Sequence, residues 1–353
     1  MAGAHDLTAA IPAFLPWQVD IATPWIKRGD KLAHAWLIHG QTGIGKRQFG
    51  LALATSLLCE QPVDHLACGQ CQACLWVRLG NHPDLMRVRP EAQELEEGIY
   101  QRTEADSAAA SRSNSARPSE IIKVEQIRLL EPWYHRTTHR AGWRIVLLYP
   151  AESMMAESAN ALLKALEEPP ESTLFLLISD SPDRLLPTIL SRCQKMKLPL
   201  PDAAASTAWL TQQGLKDSEQ WLAVAGGAPL RALELSQNQP EPYAGWLGQM
   251  VRDMAQQNAV PVTEIAENLS KEPAYRWLAD LQRLCIDVSL TCAGLKPRYF
   301  VGLETELGRL GRQRTLTQWT AIEHWITSQI PLGHHPLNAK LFAQACLQKV
   351  VTV

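Results

Sequence analysis

The first 200 residues alternate short apolar runs with amphipathic stretches, the pattern of a sheet flanked by helices. Ala35–His39, Leu85–Val88, residues 144–149 and Thr173–Ser179 read as strands, each too short and too apolar for a surface helix. Residues 48–58 and 153–168 read as helices, the second stopped by Pro169 and Pro170. Between residues 121 and 133, Ile122, Gln126, Leu129 and Leu130 fall at helical spacing. Between 90 and 118 the pattern dissolves into Glu, Ser, Ala and Arg, which predicts a flexible surface insertion with no chemistry of its own.

Beyond Pro199 the strand signal stops. Pro199, Pro201 and Asp202 form a linker, and residues 203–235 read as a small helical domain around the turn Gly226-Gly227-Ala228-Pro229. A second linker, rich in Gln, Asn and Pro, spans 237–242. The remainder is helical, with Trp246, Met250, Met254, Trp277, Leu281 and Leu284 in stripes that fit a bundle core. The chain thus divides into an α/β domain (1–200) and two all-α domains (201–238 and 239–353).

Composition narrows the function. Hydrophobic residues make up 46% and charged residues 20%, as in globular proteins. A net charge of -2 gives no basic footprint for nucleic acid, so any DNA contact must come from a local patch or from partners. No apolar run approaches the roughly 20 residues that a membrane helix needs. The first six residues lack the charged and apolar regions of a signal peptide, which points to the cytoplasm. The histidines His34, His39 and His82 read as packing or loop residues, and the 12 tryptophans as core and interface residues.

Gly40-Gln41-Thr42-Gly43-Ile44-Gly45-Lys46 follows a strand and precedes a helix, the setting of a phosphate-binding loop. Gly40, Gly43 and Gly45 let backbone N–H groups converge on phosphate, and Lys46 would reach its terminal oxygens. The next residue should be Ser or Thr, to ligate magnesium, but it is Arg47. The strand at 144–149 should end in an acidic pair, but Tyr149 and Pro150 stand there. Glu152 lies two residues on, past the strand end. Hydrolysis is not expected in this loop, and whether ATP still binds through Gly45 and Lys46 is left open.

Eight cysteines without a secretory context argue for metal or free thiols rather than disulfides. Cys59, Cys68, Cys71 and Cys74 are closely spaced soft ligands, suited to tetrahedral Zn2+ in a closed structural site. Iron–sulfur clusters use other spacings. Cys193, Cys285, Cys292 and Cys346 sit among apolar neighbours and read as buried thiols.

The run from Asn160 to Pro170, Asn-Ala-Leu-Leu-Lys-Ala-Leu-Glu-Glu-Pro-Pro, resembles a signature helix of the bacterial clamp-loader AAA+ family. Ser191-Arg192-Cys193 resembles that family's Ser-Arg-Cys motif, and the cysteine module placed after the phosphate-loop helix is also shared with it. These features occur in the expected order over the first 200 residues. The resemblance implies an AAA+ domain with a zinc module (59–74), then a helical lid and a helical collar. Within the family the lost magnesium and acidic positions, and a chain end at the collar, set this sequence apart from the gamma/tau motors. The retained Ser-Arg-Cys motif sets it apart from the delta subunit.

The resemblance further implies a non-hydrolysing stator that supplies Arg192, flanked by Ser191 and Cys193, as an arginine finger to a neighbouring motor. Its partners would be the gamma/tau motors and the delta subunit, with the beta clamp and primed DNA engaged by the whole assembly, and no membrane. Arg231 resembles the lid's sensor-2 arginine, and Ser179 stands at the sensor-1 strand end. Two alternatives are a motor-type clamp-loader ATPase that uses Lys46 in cis, and a zinc-dependent DNA-binding regulator on the same scaffold.

Overall fold

The structure, a computed structural model, describes residues 11–98, 118–139, 142–334 and 338–352. The chain divides into two compact units, Met1–Asp202 and Ala203–Val353.

The first unit opens with α1 (Val19–Ile26), β1 (Ala35–His39), α2 (Lys46–Leu58) and α3 (Gln72–Leu79). It continues with β2 (Leu85–Val88), α4 (Glu91–Glu96), α5 (Val124–Arg128), α6 (Leu130–Tyr134) and β3 (Arg144–Leu148). Then come α7 (Ala156–Glu167), β4 (Thr173–Ser179), α8 (Pro187–Leu190) and β5 (Gln194–Lys197). All strand pairs are parallel, in the order β2-β3-β4-β1-β5. Parallel neighbours require crossovers, and the helices supply them.

Strands β3 and β4 are buried along their whole length, which is why their sequences are continuous apolar runs and not alternating ones. On one face, α2 lies close to the sheet because residue 50 is glycine. A Cβ there would stand 2.7 Å from Ile178 Cδ1 and 3.0 Å from Leu147 Cδ1. On the other face, Leu162 and Leu166 of α7 join Ile122, Ile127 and Ile189 against Leu37, Val146 and Phe175. The register of the two central strands places His39 opposite Ser179, so the segments after β1 and β4 leave the sheet side by side.

Several elements differ from the pattern-based expectation. The stretch expected as one helix at 121–133 forms α5 and α6, and Ile122 instead bridges to Met154. Helix α7 starts at Ala156, because a 3-10 turn, Ala151–Ser153, precedes it. Strand β5 carries two lysines and no apolar run, so its sequence gives no strand signal. It exists because β1 offers it a pairing edge, and its own outer edge is guarded by those lysines. The segment expected as a structureless insertion begins with α4. Residues 99–117 of it lie outside the described residues.

The second unit is helical throughout its described residues. Helices α9 (Ala203–Gln212), α10 (Ser218–Val224) and α11 (Pro229–Asn238) close around Leu210, Trp221, Leu222 and Ala232. A larger core gathers α12 (Gly245–Gln256), α13 (Val262–Leu269), α14 (Ala274–Cys292), α15 (Glu304–Gln313), α16 (Leu316–Gln329) and α17 (Ala339–Val351). Met250, Trp277, Leu281 and Leu284 from the sequence stripes are all buried in it. At its centre α14 carries the fully buried Asp287, which accepts N–H bonds from Arg298, Tyr299 and Phe300, each at 2.8 Å. Burial pushes the Asp287 carboxyl up, and those three donors oppose the shift. They fix the α14–α15 connection and seat Phe300 in the core.

Replacing Asp287 by Ala leaves three backbone donors without their acceptor. It is expected to lower stability by about 2–4 kcal/mol in urea unfolding, with Asp287→Asn nearer the native value. A loss below about 0.5 kcal/mol would show that Asp287 does not hold that connection.

Candidate functional site

The phosphate loop leaves β1 at His39 and enters α2 at Lys46. Gly45 caps the helix in the left-handed region, with φ 90°, a conformation that side-chain-bearing residues avoid. This geometry points the Lys46 side chain back over the loop. Its Nζ donates to Gly40 O at 2.8 Å and Gln41 O at 2.5 Å, and pairs with Asp180 Oδ1 at 2.5 Å. An ammonium group has three donors, and all three are used inside the protein. The other Asp180 oxygen accepts from Thr42 Oγ1 at 2.8 Å, and Asp180 N donates to Glu152 Oε1 at 3.0 Å.

The far side of the loop is held as well. Gln18 Nε2 donates to Gly45 O at 2.9 Å, and Trp17 Nε1 to Ile44 O at 3.2 Å. Burial, with Lys195, Lys197 and Lys46 nearby, pushes the His39 imidazole below its ordinary value, which favours its neutral form. A phosphate reaching Lys46 would have to displace Asp180, an anion already 2.5 Å away.

Arg47, the residue after Lys46, also stands in a charge network. Arg47 Nη1 pairs with Glu97 Oε1 at 3.3 Å, and Arg89 Nε with Glu97 Oε2 at 3.0 Å. Arg87 lies 3.9 Å from the same carboxylate. Tyr149 donates its hydroxyl to Glu97, with O···O distances of 2.8 and 3.1 Å. Burial, together with the Glu97 carboxylate, pushes the Tyr149 phenol far up, so at neutral pH it is a donor. The Glu97 side chain is 6% exposed. In the described part of the 90–118 segment, residues 90–98, Glu97 thus departs from the expectation of a solvated stretch. A low-complexity stretch of Glu and Gln looks solvated in sequence, but Glu97 within it is the common anion for three arginines.

The four cysteines come together between α2 and α3. Cys59 ends α2, Cys71 caps α3 and Cys74 lies in its first turn. The four Sγ atoms lie within 4.8 Å of one another, and Cys59 and Cys71 are 3.8 Å apart. A tetrahedral ion with metal–sulfur bonds of about 2.3 Å requires S···S edges of roughly 3.8 Å. Backbone N–H groups point at two of the sulfurs. Cys68 N lies 3.2 Å from Cys59 Sγ, and Gln70 N and Cys71 N lie 3.4 and 3.3 Å from Cys68 Sγ. Those last two donors pull the Cys68 thiol down to about 6, while burial pushes Cys74 up. The donor set fits a soft metal ion with no open coordination position.

Arg192 stands just beyond α8. Ile189 and Cys193, both buried, anchor the backbone on either side of it. Burial also pushes the Cys193 thiol up to about 11, so it stays protonated. Arg192 Nη1 donates to Thr188 O at 2.9 Å and lies 3.4 Å from Ser191 Oγ, and Nη2 pairs with Glu167. These partners are separate from those of Lys46. Arg231, on α11, pairs at 2.8 Å with exposed Glu234. Ser179 is buried and accepts from Ser181 N at 3.1 Å.

Sequence reasoning missed three carboxylates: Asp180, Glu97 and Glu167. Only Glu167 lay within a recognised motif, and Asp180 was signalled by its place directly after the β4 strand. A cavity of about 560 Å³ opens beside Arg144 and Lys164, near the starts of β3 and β4, and none of the candidate site residues lines it.

Comparison with known proteins identifies the family to which the chain is similar. A family model described as DNA polymerase III, delta subunit, matches residues 25–202. The DNA polymerase III subunit delta' of Pseudomonas aeruginosa is 36% identical over 275 residues, 75% of this chain and 75% of that protein. The Escherichia coli subunit of the same name is 30% identical over 207 residues, 58% of this chain and 54% of that protein. The Escherichia coli subunit tau is 32% identical over 168 residues, 48% of this chain and 22% of that protein. The chain therefore spans three quarters of the length of the first relative and about half of the second.

The Glu97 network gives a direct test. Glu97→Ala leaves Arg47, Arg87 and Arg89 facing one another without their anion and should lower stability by about 3–5 kcal/mol in denaturant unfolding. Glu97→Gln, which keeps the Tyr149 contact, should lose less. Equal stability of wild type and Glu97→Ala would mean that the segment is dispensable to the loop.

Proposed function

The chain belongs to the delta-prime family of DNA polymerase III subunits, and from that premise we propose that it is the non-hydrolysing stator of a clamp loader, the assembly that places a ring-shaped beta clamp on primed DNA during replication. The observation that carries this reading is the self-neutralised phosphate loop. Lys46 commits its donors to Gly40, Gln41 and Asp180, and Arg47 with its partner Glu97 stands where a magnesium ligand belongs. Neither arrangement supports phosphoryl transfer in cis, which needs a bound metal ion and a polarised water.

What the chain offers instead is Arg192. Its guanidinium is at the surface, on a backbone fixed by Ile189 and Cys193, with Ser191 beside it. A planar guanidinium can place two parallel donors on a phosphoryl group as charge develops there, which a lysine cannot. In this reading Arg192 acts on ATP bound by an adjacent gamma/tau motor. The delta subunit completes the ring, and clamp and DNA are engaged by the assembly as a whole. The architecture is then an AAA+ domain at 1–200, a lid at 201–238 and a collar at 239–353. Arg231, which pairs with Glu234 one turn along the same helix, would belong to the lid and not sense nucleotide. No described helix is long and apolar enough to cross a membrane, and a replication role places the chain in the cytoplasm.

The four cysteines would hold Zn2+ in a closed structural site. The ion would tie the end of α2 to the start of α3, and so steady the helix that carries Lys46.

Two experiments test this reading. In a reconstituted loader, Arg192→Ala should reduce clamp- and DNA-stimulated ATP turnover at least tenfold with assembly retained, since such fingers contribute about 10³–10⁵ at the site they serve. Unchanged turnover would leave Arg192 structural and remove the stator's active contribution. Metal analysis of the purified chain should find one zinc per molecule, abolished by Cys74→Ala together with a fall in thermal stability. Iron in that position, or stoichiometric metal after loss of Cys74, would contradict the assignment.

A further inference from the structure

The guanidinium of Arg192 is already engaged within its own chain. Nη2 pairs with Glu167, and Nη1 donates to Thr188 O at 2.9 Å. Glu167 is the last residue of α7, and Glu168 follows it. A carboxylate at that end faces the negative pole of the helix, where it weakens the helix rather than supporting it. The placement is accounted for by what Glu167 holds, not by the stability of α7. Both partners are accessible, with the Arg192 side chain 31% exposed and that of Glu167 48%. Pairs of this kind shift an equilibrium by no more than about fivefold, weak enough to be exchanged for a better acceptor.

A phosphoryl oxygen is such an acceptor. It competes with the Glu167 carboxylate for the same planar donor edge, and the two anions repel each other when both approach it. We infer that Glu167 is a positioning residue for the trans arginine. It holds Arg192 against the end of α7 while the neighbouring site is disengaged, and yields the guanidinium to the terminal phosphate of ATP when that site closes. Ile189 and Cys193 are buried on either side of Arg192, so the exchange would need only side-chain rotation. The inference rests on Arg192 acting as a finger, and adds the residue of this chain that sets when the finger is delivered.

The test is ATP turnover of reconstituted loaders against ATP concentration, with and without clamp and primed DNA. The chains compared are wild type, Glu167→Gln, Arg192→Ala and the double variant, each checked for assembly by gel filtration. Glu167→Gln should lower KM for ATP and raise turnover in the absence of clamp and DNA by about two- to fivefold. The stimulated kcat should change less than about twofold, and the double variant should match Arg192→Ala. If Glu167→Gln leaves KM and the unstimulated rate unaltered while Arg192→Ala is still impaired, the latch is wrong and the finger stands. A fall in stimulated kcat with Glu167→Gln would also overturn the latch, since Glu167 would then be a buttress. If Arg192→Ala itself is without effect, the finger reading is what fails.

Discussion

A buried ammonium group sets the terms for the glycine-rich-loop end of the first unit. Lys46 is 4% exposed, and a lysine charge that deep is tolerated only with its donors satisfied. Two loop carbonyls and Asp180 satisfy them. The arrangement depends on the sheet, because β1 and β4 are neighbours with His39 opposite Ser179, which delivers Asp180 to the mouth of the loop. A loop shaped to gather phosphate oxygens has thereby been given a protein carboxylate in their place. Lys46 in turn ties the loop at Gly40 and Gln41 to the head of α2.

The same logic extends one residue further. Arg47 at the head of α2 sets a second cation beside the first, and Arg87 and Arg89 on or next to β2 add two more. Such a concentration of positive charge would repel itself without a buried anion. Glu97 is that anion, and Tyr149 completes its coordination from the end of β3. Substitutions that read in sequence as losses of catalytic groups are, in the folded chain, members of one compensated network. A net charge of -2 conceals this, because net charge sums over the surface and says nothing of what has been placed together inside.

How much of this was legible depended on whether the signal was local. The buried strands were readable because burial on both faces demands continuous apolar runs, as in β3 and β4. The cysteine cluster was readable because spacing of soft ligands over 16 residues, from Cys59 to Cys74, is itself local geometry. Strand β5 was not, since its existence comes from the edge that β1 presents and not from its own side chains. Asp180 meets Thr42 across 138 positions, and Glu97 meets Tyr149 across 52. Contacts at such separations are created by strand order and register, which no window along the chain contains. The segment at 90–98 was misread for a related reason: composition reports average solvation, and a single glutamate can be the exception.

In the proposed stator role, a chain that does not turn over ATP would be released from a constraint that motors obey. A catalytic phosphate loop must bind, distort and release its ligand, so its lysine has to remain available and its metal position vacant between cycles. In a stator both could stay closed, as the contacts of Lys46 and Arg47 are here, and the gain would be a fixed end of the sheet. The proposed stator role uses that fixity. An arginine acting in trans must be presented from a base that does not move when its target does, and Ile189 and Cys193 pack Arg192's backbone into the same core that carries α7. In that role the loop would serve as ballast, while the one group proposed to act in trans is a guanidinium on a weak, exchangeable tether. That division, tight where nothing must change and loose at a single side chain, is the physical form a non-hydrolysing partner of an ATPase should take.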